Sequence, residues 1–318
     1  MVLEKIKFML KKLKIITRSS KLALWQTYFV EKKLQEAGFE TEIVGIETKG
    51  DKILDRSLAK IGSKGVFTEE LEEKLRLGEV HLAVHSAKDL PSALPEDLEI
   101  IAFTEREQVN DVLVSFKKGI SLQDKILIGT SSTRRIATLK HYYPHIRTTE
   151  MRGNLQTRLQ KLENGACDAI ILAYAGIHRL EYDNLICQHL PTDIFTPAAG
   201  QGSIAIEIAK NLDANIKQKL KETLNHWETE VCLHVERDFL HTLQGGCSVP
   251  VFVLASLENN FLNIRGGIIS PDGSRLLMRE LRVSVQEYEQ AGQKLAQEIL
   301  QIGGEQMLKE IKTSYNLL

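Results

Sequence analysis

A lysine and an aspartate stand side by side in HSAKDLP, at 85–91. The segment continues the apolar stretch HLAV, which predicts a buried strand. In open α/β sheets, ligands bind beyond the carboxyl ends of strands. Lys88 and Asp89 at such an end would hold an anionic substrate and move a proton. The alternative is a surface ion pair ahead of a proline-containing loop.

Small hydroxyl residues and arginines meet in GTSSTRR, at 129–135, between a predicted strand and a predicted helix. A helix start with hydroxyl side chains forms a cradle for an anion. Arg134 and Arg135 in this place oppose the usual preference of helix starts for acidic residues, and a bound anion would account for them. A solvated basic turn is the alternative.

Arginines recur where other predicted strands end, as in MRGNLQTR at 151–158 and AGIHR at 175–179. The planar guanidinium group binds both oxygens of a carboxylate at once. One such arginine indicates little, but the whole set predicts a cleft for a polyanion. The set consists of Arg18, Arg134, Arg135, Arg152, Arg158 and Arg179.

Cys247 lies in the glycine-rich turn GGCSVP, at 245–250. A cysteine in such a turn is accessible for covalent attachment or nucleophilic attack, and an inert structural thiol is the alternative. A zinc site is a further alternative. Cys232 and His234, two apart on a predicted helix, point in different directions and disfavour it. The other two residues of that set are His241 and Cys247.

Strand-like and helix-like segments alternate through the first two-thirds of the chain. Leu13 to Thr17 predicts a strand, Ser19 or Ser20 caps the next helix, and Gly38 ends it. DAIILAYAG, at 168–176, is apolar enough for a strand that is buried on both faces. This alternation predicts an α/β architecture with mostly parallel strand pairing.

The pattern changes near residue 250. Two turns, at 259–260 and 271–273, separate segments that predict antiparallel strands, and a helix rich in alanine, glutamine and glutamate follows. These features predict a small α+β domain. TPAAGQG, at 196–202, predicts a flexible turn or hinge, in which Gln201 serves either packing or ligand contact.

The composition is that of a globular protein of two or three domains. The chain has 318 residues, 43% of them hydrophobic and 26% charged, with a net charge of −1. A net charge near zero disfavours a uniformly basic surface for nucleic acid. The basic start has no apolar run of signal-peptide length, and no window approaches a membrane span, so we expect a cytoplasmic protein. Without a secretory signal, the four cysteines predict no disulfide framework.

These segments, in this order, resemble the porphobilinogen deaminase family. The resemblance spans nearly the whole chain, and although each motif is weak alone, the ordered set is specific. It includes TRSSKLALWQ at 17–26, TKGD at 48–51, GSKGVFTEELE at 62–72, HSAKDLP at 85–91, GTSSTRR at 129–135, MRGNLQTRL at 151–159, AGIHRL at 175–180, TPAAGQG at 196–202 and GGCSVP at 245–250.

The resemblance implies a fold that periodicity cannot supply. Two α/β lobes like those of periplasmic binding proteins are joined to a small α+β domain. The implied first lobe covers 1–106 and 203–222, where the chain crosses back, and the second covers 107–202. The third domain covers 223–318 and carries the cofactor cysteine.

The implied activity is that of a transferase in haem biosynthesis, hydroxymethylbilane synthase. Four porphobilinogen molecules each lose ammonia and join head to tail on a dipyrromethane cofactor, which a thioether attaches to Cys247. Hydrolysis then releases linear hydroxymethylbilane. Each ring carries an acetate and a propionate, so the growing chain is a polycarboxylate that suits the arginines.

The resemblance also implies roles for individual residues. Asp89 is the implied catalytic carboxylate, with Lys88 and Arg18 assisting. Thr133 and Ala87 stand where the family commonly has larger apolar residues, a difference that changes no charge. The implied cofactor-binding residues are Cys247, Ser132, Arg134, Arg135, Lys88 and Asp89. The implied substrate-binding residues are Arg18, Ser20, Arg152, Arg158, Arg179 and Gln201.

Two other functions compete with this interpretation. A two-lobed binding protein without chemistry would explain the lobes and the arginines, but it would require neither Asp89 nor Cys247. A nucleic-acid binder would explain only the arginines, which are scattered over strand ends with few aromatic residues between them. The family implies a monomer with a small-molecule substrate, no metal, no nucleic acid and no membrane.

Overall fold

A computed structural model of the chain describes residues 12–52, 68–244 and 249–314. Three sheets account for its strands. In chain order the strands are β1 (Leu13–Arg18), β2 (Thr41–Ile46), β3 (Leu82–Ser86), β4 (Leu98–Phe103), β5 (Asp111–Val114), β6 (Leu127–Gly129), β7 (Arg147–Thr149), β8 (Ala169–Ala173), β9 (Ile186–His189), β10 (Ile204–Ala209), β11 (Val251–Glu258), β12 (Phe261–Ile269) and β13 (Leu276–Ser284).

Helices connect most of these strands. In chain order they are α1 (Lys21–Glu36), α2 (Lys49–Lys52), α3 (Glu69–Arg76), α4 (Thr133–Tyr142), α5 (Leu155–Glu163), α6 (Tyr174–Arg179), α7 (Ala214–Leu224), α8 (Trp227–Thr242), α9 (Tyr288–Ile299) and α10 (Glu305–Ser314). Single 3₁₀ turns lie at Ala87–Asp89, Asp183–Leu185 and Val285–Glu287, and a π-helical turn at Leu300–Gly304 joins α9 to α10.

The described residues form two compact units. The first contains residues 12–52, 68–107 and 203–230, and the second contains the remaining described residues. Within these ranges no helix is long and apolar enough to cross a membrane.

The first unit is built on a five-stranded sheet of order β2-β1-β3-β10-β4. β1 pairs in parallel with β2 and β3, whereas β10 runs antiparallel to β3 and β4. β10 enters this sheet after an excursion of about a hundred residues, so it is not bound to the parallel course of a strand-helix-strand crossover. Apolar side chains of α1 and α7 cover one face of the sheet, and those of α3 pack in a second cluster with other strand residues.

The second unit contains a matching five-stranded sheet of order β7-β6-β8-β5-β9. β6 pairs in parallel with β7 and β8, and β5 runs antiparallel to β8 and β9. The predicted parallel pairing is therefore confirmed for β1 to β3 and for β6 to β8. It was wrong for β4, β5 and β10, because the apolar pattern of a buried strand does not encode its direction.

The third sheet, also in the second unit, is antiparallel with order β11-β12-β13. Asn259 and Asn260 have φ angles of 49° and 65°, and Glu258 pairs with Phe261 across them. Two positive φ values in a two-residue hairpin turn are typical of type I′, so this predicted turn is confirmed. α9 follows β13 and buries its apolar residues, as a small α+β domain requires.

Two local predictions had different outcomes. Ser20 caps α1 by accepting a hydrogen bond from the amide of Ala23 at 3.4 Å, and Gly38 follows the helix with φ 89°, as predicted. β8 is buried along its whole length but ends at Ala173, and Tyr174 to Gly176, predicted as strand, begin α6. Both elements are buried and apolar, so hydrophobicity alone does not separate them.

Candidate active site

Arg18 and Asp89 meet at one edge of the first sheet. Arg18 is the last residue of β1, and Asp89 ends the 3₁₀ turn that follows β3. Because β1 and β3 are parallel neighbours, their carboxyl ends lie at the same edge. The Arg18 Nη1 and Asp89 Oδ2 atoms are 3.8 Å apart, and both side chains are partly exposed. This distance exceeds that of a charge-assisted hydrogen bond, so the pair is an ion pair without a direct bond.

The turn that carries Lys88 and Asp89 is anchored on both sides. The amide of Ala87 donates to the carbonyl of Ser203 at 3.0 Å. Ser86 Oγ lies 2.9 Å from Nε2 and 3.1 Å from Oε1 of Gln26. Lys88 is half-buried in this turn. The anchors fix the position of the two ionic side chains relative to the sheet.

A buried histidine–glutamate pair supports the same turn from inside the sheet. Nε2 of His85, on β3, lies 3.0 Å from Oε2 of Glu207, on β10, and both side chains are buried. Within the described ranges of the chain, Oε1 of Glu207 has no hydrogen-bond partner. Glu207 was not predicted as a site residue, although a single glutamate inside the apolar segment SIAIEIA is a usable signal.

Ser132, Arg134 and Arg135 lie at the amino-terminal end of α4, which follows β6. Ser132 is the N-cap, and its side chain accepts a hydrogen bond from the amide of Arg135 at 3.4 Å. Ser20 has the same role at α1 in the first unit. The structure therefore places two predicted ligand-binding serines as helix caps.

Arg134 and Arg135 both bind Asp111, the first residue of β5. Nη2 of Arg134 donates to Oδ2 of Asp111 at 2.8 Å, and Nη2 of Arg135 donates to Oδ1 at 2.7 Å. The arginines are only 4% and 6% exposed, and Asp111 is fully buried. Burial alone would raise the pKa of Asp111, but the two guanidinium charges and the hydrogen bonds outweigh it and hold that pKa well below its usual range.

Gln201 contacts the same carboxylate. Its Nε2 donates to Oδ1 of Asp111 at 2.9 Å and to the carbonyl of Val109 at 2.7 Å. The side chain is almost completely buried. The structure thus brings three predicted site residues together around Asp111, which the sequence analysis missed. An aspartate directly ahead of the apolar run VLV was the signal for it.

Three further predicted arginines lie on the connections after β7 and β8. Arg152 is buried between β7 and α5, and its carbonyl accepts from Nζ of Lys161 at 3.1 Å. Arg158 lies on α5, and its Nε donates to the carbonyl of Gly153 at 2.8 Å. Arg179, in the last turn of α6, donates to the carbonyl of Gly202 at 2.7 Å. Backbone carbonyls therefore hold the two side chains of Arg158 and Arg179.

Cys247 lies outside the described residues, so the structure gives no position for it. Of the other residues weighed as zinc ligands, Cys232 is buried on α8, and the His234 ring lies edge-on to Tyr288 with centroids 5.1 Å apart. No group of three or more potential metal ligands occurs among the residues that the structure describes.

Fold and site together define a class of protein. It is an α/β protein with two mixed five-stranded sheets, with arginines near several strand ends, and with a small α+β region. The buried group of Arg134, Arg135 and Asp111 carries one more positive than negative charge. An excess positive charge of this kind suits a polycarboxylate, which is the chemistry that the acetate and propionate groups of a pyrrole chain present.

Comparison with known proteins gives the family. The family model for "Porphobilinogen deaminase, dipyromethane cofactor binding domain" matches residues 13–218, and that for "Porphobilinogen deaminase, C-terminal domain" matches residues 230–301. The chain therefore belongs to the porphobilinogen deaminase family.

Curated relatives agree over almost the whole chain. The chain is 52% identical to a porphobilinogen deaminase of Cytophaga hutchinsonii over 304 residues, 95% of this chain and 97% of the relative. It is 48% identical to that of Desulfosudis oleivorans over 303 residues, with 94% and 98% covered. Among solved structures, the periplasmic VFT2 domain of Bordetella pertussis BvgS is similar at 15% identity, with 70% and 90% covered and a TM-score of 0.42.

Family membership settles the activity that the sequence analysis expected. The protein is a transferase of porphyrin and haem biosynthesis, a hydroxymethylbilane synthase that converts porphobilinogen to hydroxymethylbilane. Its cofactor is dipyrromethane. The competing interpretations, a binding protein without chemistry and a nucleic-acid binder, do not account for this membership.

Proposed function

We propose that Asp89 is the catalytic carboxylate of this synthase, with Lys88 and Arg18 assisting it. The observation that carries the proposal is the meeting of Arg18 and Asp89, 3.8 Å apart at neighbouring parallel strand ends. An ionised carboxylate there stabilises positive charge on a pyrrole nitrogen and moves protons between nitrogen and carbon sites.

Ligand binding is divided between cofactor and substrate. When bound, the dipyrromethane supplies the pyrrole primer that the reaction extends, and we assign its thioether attachment to Cys247. The other proposed cofactor ligands are Ser132, Arg134, Arg135, Lys88 and Asp89. The proposed substrate-binding residues are Arg18, Ser20, Arg152, Arg158, Arg179 and Gln201. What supports this assignment is the concentration of buried and half-buried arginines at strand ends.

The domain division and the cellular setting belong to the same proposal. The first lobe covers 1–106 and 203–222, the second covers 107–202, and the cofactor domain covers 223–318. The pairing of β10 with β3 and β4 supports the return of the chain into the first lobe. We further propose a cytoplasmic monomer that needs no metal.

The catalytic assignment is tested by Asp89→Asn. This change removes the negative charge and the proton-transfer capacity, and general acid–base groups contribute factors of about 10² to 10⁴. We expect turnover of porphobilinogen to fall by at least about a hundredfold. Asp97→Asn, which alters a surface ion pair with Arg76 in the same unit, is the matched control and should retain activity. Turnover of Asp89→Asn within a few-fold of the control would refute the assignment.

The attachment site is tested by the denatured mass of the purified protein, with peptide mapping of residues 230–265. We expect an added dipyrromethane on the peptide that contains Cys247. A Cys247→Ser variant should lack the adduct, while Cys187→Ser, which removes a partly exposed thiol in the second unit, should keep it. An adduct on any other cysteine would refute the assignment of the attachment site to Cys247.

A further inference from the structure

Asp111 is the centre of a buried hydrogen-bond group. Its carboxylate accepts four hydrogen bonds from the side chains of Arg134, Arg135 and Gln201. Oδ2 accepts from Nη2 of Arg134 at 2.8 Å and from Nε of Arg135 at 3.1 Å. Oδ1 accepts from Nη2 of Arg135 at 2.7 Å and from Nε2 of Gln201 at 2.9 Å. One carboxylate thus accepts hydrogen bonds from three polar side chains, and burying any of these side chains without a partner would cost free energy.

Asp111 and its donors come from separate segments of the second unit. Asp111 begins β5, the two arginines occupy the first turn of α4, and Gln201 lies in the loop before β10. Two backbone carbonyls complete the group: Arg134 Nη1 donates to Thr196 at 2.9 Å, and Arg135 Nη1 donates to Ile171 at 2.8 Å. Asp111 therefore fixes the start of α4 relative to β5, β8 and the 196–202 loop.

The two arginines are held to different degrees. All three guanidinium nitrogens of Arg135 donate, two of them as a fork on Asp111 and the third to Ile171. Arg134 donates through its two Nη atoms, and its Nε makes no hydrogen bond within the part of the chain that the structure describes. Arg134 therefore retains donor capacity for an anion.

The net positive charge of this group also favours a bound anion. Two guanidinium groups face one carboxylate, so a positive charge remains in a region that is almost closed to water. A buried charge without a counter-ion raises the free energy of the folded protein. An anion bound beside the group would offset this penalty. The cofactor carries carboxylates, which are the anions with the matching geometry.

We propose that Asp111 is a positioning residue for cofactor binding: it holds Arg135 in place and orients Arg134 toward a carboxylate of the dipyrromethane. The inference rests on the proposed assignment of these arginines to the cofactor. In this arrangement the Asp111 carboxylate and the carbonyl of Ile171 hold the guanidinium group of Arg135 in place. Asp111 itself contacts neither substrate nor cofactor.

The test measures cofactor loading of the full chain. Apoprotein from cells that cannot make porphobilinogen is purified as the folded fraction, then incubated with porphobilinogen. The rate at which the dipyrromethane adduct appears is followed by denatured mass, and the thermal midpoint is measured in parallel. The variants are Asp111→Asn, Asp111→Glu and Arg134→Gln. Asp168→Asn is the control, since Asp168 binds Lys117 at 2.6 Å and the amide of Leu127 at 2.9 Å in the same unit.

We expect folded Asp111→Asn to acquire the dipyrromethane about tenfold more slowly than the wild-type protein, because charge-assisted hydrogen bonds that orient Arg134 are lost. Asp111→Glu keeps the charge but displaces it by one methylene, so loading should slow by several-fold in a folded protein. Asp168→Asn should lose thermal stability and load at the unchanged rate. The thermal midpoint alone would not distinguish the Asp111 variants from Asp168→Asn, whereas the rate of cofactor loading does.

Two results would overturn the inference. One is loading of folded Asp111→Asn at the unchanged rate; the other is failure of both Asp111 variants to fold while Asp168→Asn folds, which would assign Asp111 to folding alone. Arg134→Gln distinguishes the underlying assignment. If this variant also loads at the unchanged rate, Arg134 does not bind the cofactor, and the proposed site is wrong irrespective of Asp111.

Discussion

At the scale of single residues, the proposed substrate arginines differ in what holds them. Arg158 is half-buried, and its Nε is already committed to the carbonyl of Gly153, which directs the two Nη groups. A guanidinium fixed in this way presents a planar fork to a carboxylate, whereas a lysine presents a single point charge. Arginine and lysine are therefore not equivalent at this position.

Arg158→Lys tests this difference. It keeps the positive charge but loses both the fork and the bond to Gly153, so we expect kcat/KM for porphobilinogen to fall by about tenfold. Arg147→Lys, at the exposed start of β7, is the matched control and should leave kcat/KM unchanged. Steady-state kinetics on both variants provides the measurement. Equal kcat/KM values for the two variants would show that charge alone suffices at Arg158.

Single residues within a motif could be predicted from the sequence, whereas the residues that pair with them could not. The cap of α1 could be narrowed to Ser19 or Ser20 because capping is local, and Ser20 accepts the expected backbone hydrogen bond. Asp111 was missed because its partner Arg135 is 24 residues away in the sequence, and no local pattern predicts which carboxylate will pair with which arginine. Glu207 was missed for the same reason, at 122 residues from His85.

At the scale of elements, the connection between β7 and α5 depends on Gly153. This residue has φ +110°, and a Cβ at its position would lie 2.7 Å from the Thr157 side chain. Thr157 in turn donates its amide to the Asn154 cap at 3.0 Å, so it has little room to move. The turn that separates Arg152 from Arg158 is therefore specified by a glycine.

Gly153→Ala is expected to destabilise the protein by about 1 to 3 kcal/mol, through both the positive φ and the clash with Thr157. Gly303→Ala separates these effects, because Gly303 has the same φ, +110°, but its added Cβ would come no closer than 4.0 Å to a neighbouring side chain. The free energies of unfolding from urea titrations of the two variants supply the comparison. A cost for Gly153→Ala no larger than that for Gly303→Ala would exclude the steric contribution.

Element identity was largely predictable, and strand direction was not. The hairpin at Asn259 and Asn260 was predicted correctly because positive φ values restrict the residues that can form it. The antiparallel course of β5 and β10 could not be predicted, because it depends on which sheet edge each strand meets after a long connection. Apolar composition records burial and carries no information on direction.

At the scale of the whole molecule, Asp111 contributes to stability in a pH-dependent way. The neighbouring Arg134 and Arg135 charges hold the pKa of Asp111 well below its usual range, against the opposing effect of burial. The unfolded chain has an ordinary aspartate with a pKa of about 3.9. As pH falls, the unfolded state therefore binds this proton first, and folding loses stability.

We expect the contribution of Asp111 to stability to be complete above about pH 5 and to be lost progressively as the pH falls below that value. Unfolding free energies measured at several pH values between about 6 and about 2 test this expectation for the unchanged protein. In folded Asp111→Asn the decline below about pH 5 should be shallower. An identical decline in the variant would assign the acid sensitivity to other carboxylates.

The return of β10 to the first sheet also determines the order in which the sheets can form during synthesis. All five strands of the second sheet lie between Asp111 and His189, whereas the first sheet lacks the strand between β3 and β4 until Ile204 to Ala209 have been made. During synthesis, the facing edges of β3 and β4 therefore stay without their partner strand for about a hundred residues. The later-encoded second sheet is the first whose strands are all available, so we expect the first sheet, which needs the longer-range pairing, to form later.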